Sequence, residues 1–106
     1  MLGNSPTHFP DYYFIFPVQL PGQMISDIDK EVLILFGKHL KSLRLAKKLT
    51  YRKMALRCNI DYGDIQKIES GKVNITILTL RELAKALELA PNSLLDFDGF
   101  NLSDSR

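Results

Sequence analysis

The sequence predicts an all-α fold of five helices preceded by an N-terminal extension. Three observations carry that expectation. From residue 27 onward, apolar residues recur every three or four positions, the period of a helix face. Short polar residues stand where helix N-caps belong, at Thr50, Asp61 and Thr76 or Thr79. Gly71 and Pro91 punctuate the chain at a helix end and a helix start.

The elements follow in order. Residues 1–26 are rich in proline and aromatics, and "YYFIF" (residues 12–16) favours an extended strand. Such a strand needs a partner from this domain or another chain, and a loose terminus is the competing reading. The first helix is expected from Asp27 or Asp29 to Lys48, with Val32, Phe36, Leu40 and Leu43 on one face. Its acidic start and basic end suit the helix dipole. Thr50 caps a second helix, roughly Tyr51 to Cys58, with Met54, Ala55 and Cys58 facing inward. Asn59 fits the following turn, because asparagine tolerates the left-handed conformation. Asp61 caps the third helix, Tyr62 to Glu69, which Gly71 ends. The fourth helix buries Leu80, Leu83, Ala84 and Leu87, and "APNSLLDF" opens a short fifth. The expected organisation is an arm at 1–28, a helical domain at 29–97 and a tail at 98–106.

Charge narrows the function. The 106 residues carry a net +2, but residues 38–88 carry +7 between flanks of −3 and −2. A basic block of that kind points to a polyanionic partner or to a solvated basic face. The single cysteine, Cys58, excludes an internal disulfide framework, and it is expected to be a core residue. Together with two histidines, His8 and His39, it makes no zinc site, and His39 is expected on an exposed helix face. No apolar run is long enough to span a membrane, and the start lacks the basic leader of a signal peptide, so a cytoplasmic protein is expected. No nucleophile with an adjacent base, no glycine-rich phosphate loop and no paired carboxylates appear, so neither an enzyme nor a cofactor is expected.

Helices two and three, joined by about three residues around Asn59, form a helix-turn-helix arrangement. The third helix is short and polar: Ile65 and Ile68 are its inward residues, and the opposite face is left to polar side chains. Such a helix fits a DNA major groove, where base edges offer donors and acceptors.

Residues 36–95 resemble the phage repressor and Cro family of helix-turn-helix domains, the XRE-like family, in "FGKHLKSLRLAKKLT", "YRKMALRCNI", "DIQKIESGK" and "NITILTLRELAKALEL". The resemblance implies a five-helix lambda-repressor-like domain whose second and third helices read double-stranded DNA. By position, it implies base contacts from Tyr62, Gly63 and Lys67, flanked by Asp64 and Gln66. It implies phosphate contacts from Tyr51 and Arg52 and a backbone-gripping loop at Ser70, Lys72 and Asn74. It also implies a structural salt bridge between Arg44 and Glu69. The chain departs from the family pattern at Lys53, where an acidic residue would complete a capping box, at Asn59 in place of the turn glycine, at Ile75 in place of a loop proline, and at Gly63, which brings no side chain to a base.

The expected function is therefore sequence-specific DNA binding by a homodimeric transcriptional regulator, with half-sites about one helical turn apart. Leu94, Leu95, Phe97 and Phe100, or else the N-terminal arm, are expected to supply the dimer contact. A second reading is an antitoxin whose aromatic arm, residues 9–18, folds on a toxin partner, with DNA binding for autoregulation. A third is an interaction module that has lost DNA binding.

Overall fold

The computed structural model of the protein describes residues 25–101. The strand expected at residues 12–16 lies outside the described residues. Five helices are found among the described residues: α1 (Asp27–Ala46), α2 (Tyr51–Ala55), α3 (Tyr62–Glu69), α4 (Ile77–Leu87) and α5 (Pro91–Leu94).

Each helix starts where a short polar residue or a proline sits. Ser26 caps α1 with a full capping box: its hydroxyl accepts the Asp29 N–H at 3.0 Å, and the Asp29 carboxylate accepts the Ser26 N–H at 3.2 Å. Thr50 accepts the Lys53 N–H at 3.1 Å, and the lysine side chain cannot return the bond. Of the two candidates before α4, Thr76 is the cap, accepting the Thr79 N–H at 3.2 Å. Pro91 occupies the first turn of α5, and Asp61 holds the cap position of α3 without a side-chain bond to the backbone.

The helix ends differ more from expectation. α1 stops at Ala46, short of Lys48, because Lys48 itself turns left-handed at φ 59°. Its N–H reaches the Leu45 carbonyl at 2.9 Å, and the Leu49 N–H reaches Arg44 at 3.1 Å, closing the helix in the six-to-one pattern of a Schellman motif. Glu88 does the same after α4 at φ 58°, and Gly71 after α3 at φ 76°. α2 ends at Ala55, not Cys58. Asn59 is not left-handed, contrary to expectation; among non-glycine described residues only Lys48 and Glu88 are. What holds the turn is tertiary: the Asn59 N–H donates to the buried Glu82 carboxylate of α4 at 3.2 Å.

The core joins all five helices: Phe36 and Leu40 from α1, Met54 from α2, Ile65 and Ile68 from α3, Leu83 and Leu87 from α4, and Leu94 from α5. α3 packs on both α1 and α2, and α5 on both α4 and α1. Close approach between α1 and α3 depends on Gly37. A Cβ there would come within 2.7 Å of the Ile68 carbonyl oxygen and nearer still to that of Glu69. His39, expected to be exposed, is half-buried, and its Nε2 donates to the Ser93 carbonyl of α5 at 2.8 Å. Cys58 is half-buried against the core, where burial raises its thiol pKa.

Candidate nucleic-acid interface

Burial divides α3 cleanly. Ile65, Ile68 and Glu69 point into the domain. Tyr62, Gln66, Lys67 and Ser70 are exposed, with Gly63 and Asp64 half-buried beside them. Positions 62, 63, 66, 67 and 70 fall on one stripe of a helix. A helix with its side chains is about 10–12 Å across, and the DNA major groove is about 12 Å wide.

A buried ion pair sets the attitude of that stripe. Arg44 of α1 makes a two-pronged contact with Glu69, the last residue of α3: Nε to Oε2 at 2.7 Å and Nη2 to Oε1 at 3.1 Å. The remaining prong, Nη1, donates to the Leu49 carbonyl at 2.8 Å. Both side chains are almost closed to solvent, at 6% and 3% exposure. The hydrogen bond to Glu69, against the cost of burial, raises the Arg44 pKa further above its ordinary value. Tyr51 lies against this pair, its ring centroid 4.0 Å from the guanidinium carbon. Burial, and then the Glu69 carboxylate, push its phenol pKa up. The pair implied by the resemblance is thus real, and it fixes the C-terminal end of α3 to the body of the domain.

The N-terminal end of α3 meets α2. The Arg52 guanidinium sits 4.5 Å from the centre of the Tyr62 ring. The two residues rim an open concavity of about 510 Å³ in the crook of the helix-turn-helix, which Leu56, Asn59 and Asp61 also line. Leu56 is 86% exposed there.

The ten residues implied as DNA contacts do not all share one surface. Arg52, Tyr62, Gly63, Gln66 and Lys67 come together along the outer face of α2 and α3. Lys72 is exposed just past Gly71, in the loop after α3. Ser70 is exposed, with its hydroxyl 3.0 Å from the carbonyls of both Gln66 and Lys67. Tyr51 is half-buried and turned toward Arg44, and Asn74 lines an apolar groove beside α1 and α4. A Cβ built on Gly63 meets nothing within 4 Å. Sequence reasoning missed Gly37, which lets α1 approach α3 closely, Glu82, which holds the turn between α2 and α3, and the bond from His39 to α5. Glu82 left a signal, a carboxylate at a core-facing position of the α4 repeat; Gly37 and His39 left none.

A helix-turn-helix family profile (HTH_3) matches residues 40–94. The chain is 33% identical over 67 residues to the control protein C.BamHI of Bacillus amyloliquefaciens, a match spanning 62% of this chain and 83% of that protein. Among solved structures it superposes on the restriction-modification controller protein C.AhdI of Aeromonas hydrophila with a TM-score of 0.57 and 32% identity, covering 58% of this chain and 94% of that one. It also superposes on the controller protein C.Esp1396I, solved as a tetramer with its natural 35-base-pair operator, with a TM-score of 0.57 and 29% identity over 61% of this chain and 86% of that one.

Proposed function

The chain belongs to the HTH_3 helix-turn-helix family, and from that premise we propose that it is a transcriptional regulator that inserts α3 into the major groove of a two-fold symmetric operator. One observation carries the reading: a short helix keeps Tyr62, Gln66 and Lys67 outward while a buried, two-pronged ion pair at its last residue fixes its orientation. Lys67 and Tyr62 read base edges, and Arg52 and Lys72 hold phosphates on either side. Gln66 and Asp64 flank the base contacts, and Ser70 stands beside the backbone grip at Lys72, whereas Asn74 faces the apolar groove. The action is binding without catalysis, in the cytoplasm, with no cofactor.

The relatives are control and controller proteins, which favours a regulator over an antitoxin. C.Esp1396I holds its operator as a tetramer, and we infer that this chain likewise works as a dimer or a pair of dimers.

Selection from a random duplex pool, followed by affinity measurements at several salt concentrations, tests the proposal. A palindromic consensus is expected, with log affinity falling against log salt by about 0.9 per phosphate neutralised. Lys67→Ala should weaken binding to the consensus about 5- to 150-fold, about 1–3 kcal/mol, and relax the preference at one base position. Weak binding with no consensus would overturn the regulator reading.

A further inference from the structure

Tyr62 is the first residue of α3 and 42% exposed. A tyrosine in that position, on its own, has two freely turning side-chain bonds and no fixed aim. Here one neighbour restricts it: the guanidinium of Arg52, which comes from α2 and lies 4.5 Å from the ring centre. The next residue, Gly63, offers no side chain to share the reading, and the space beside it is open. Base recognition at the start of α3 therefore depends on how the Tyr62 ring is held.

We propose that Arg52 is a positioning residue for base selectivity, joining a phosphate contact at the start of α2 to the aim of the Tyr62 ring at the start of α3. The proposal rests on the regulator reading above. A guanidinium is planar and spreads its five donors around its edge, so it stacks on an aromatic face while its edge bonds a phosphate. Docking against the DNA backbone would then fix Arg52, and Arg52 would fix the ring. The ring's hydroxyl and edge would meet the base pair in a defined pose, where a phenol can hydrogen-bond a base edge and a ring can pack on a thymine methyl. Backbone contacts carry no sequence information by themselves; this stack gives one of them an indirect share in it.

Lysine separates the two roles, because it keeps the charge but cannot stack flat. The test measures binding to the selected consensus and to duplexes changed at single base pairs, each at several salt concentrations. Five proteins are compared: the wild type, Arg52→Lys, Arg52→Ala, Tyr62→Ala, and Arg52→Lys combined with Tyr62→Ala. Arg52→Lys should keep the salt slope of the wild type and lose about two- to fivefold of selectivity at one base position. Arg52→Ala should lose that selectivity and also about 0.9 of slope. In the Tyr62→Ala background, Arg52→Lys should change selectivity no further, which shows that the effect runs through the ring. Both side chains are exposed, so unchanged thermal melting confirms that every variant folds.

Wild-type selectivity retained in Arg52→Lys, or lost equally with and without Tyr62, would overturn the positioning role and leave the regulator reading standing. Absence of any consensus for the wild type would overturn both.

Discussion

Arg44 and Glu69 show how one residue pair can serve stability and also set the attitude of α3. The two side chains share two hydrogen bonds, and Arg44 gives a third to the Leu49 carbonyl, in a site closed to water. Removing one partner leaves a buried charge unmet, which typically costs about 3–5 kcal/mol. Glu69→Ala should therefore lower the urea midpoint sharply, and the double variant Arg44→Met with Glu69→Leu should recover much of the loss. Equal midpoints for the single and double variants would show that burial of a lone charge is not the cause. Pairings of this length were only partly legible in the sequence. The Arg44–Glu69 bridge followed from a family resemblance, whereas His39 with Ser93 and Asn59 with Glu82 join positions 54 and 23 residues apart. No local pattern encodes such partners.

At the scale of the element, helix starts were more legible than helix ends, although the end of α3 at Glu69, closed by Gly71, matched the expectation. A start depends on a side chain bonding an N–H three residues on, so Ser26, Thr50 and Thr76 act within reach of their own sequence neighbours. An end depends on a residue turning left-handed, and here two of three such residues are not glycine. Lys48 and Glu88 each bear the steric cost of that conformation, about 1–2 kcal/mol. Packing of Leu49 and Leu89 after the turn holds them in it. Replacing either residue with glycine should remove the strain at some cost in chain entropy, a net gain of up to roughly 1 kcal/mol. Thermal melts of Lys48→Gly and Glu88→Gly check this, and a fall in melting temperature would refute it. Asn59, the residue expected to be left-handed, needs no such replacement because Glu82 fixes its backbone.

At the scale of the whole molecule, the question is how two copies meet. Of the four residues expected at a dimer contact, Leu94 is fully buried in the core, and Phe97 packs on Phe36 and His39. Leu95 and Phe100 remain, and they line an apolar groove with Ile75, Ile77 and Leu80. Ile77 is 80% exposed there. We propose the dimer contact on this face, where the two remaining residues of the expected contact lie. Ile77→Asp should shift the protein from dimer to monomer in analytical ultracentrifugation without unfolding it, and should weaken binding to a palindromic site far more than to a half-site. An unchanged sedimentation coefficient would move the contact elsewhere. The outward stripe of α3, meanwhile, stands clear of the core. Gly63 stands on it with open space around its missing side chain, like an unset piece of type in a finished line. A descendant of this protein can acquire a new letter there by a single codon change, with no repacking behind it. On the proposed reading, operator preference is thus free to change there while the fold that carries it stays as it is.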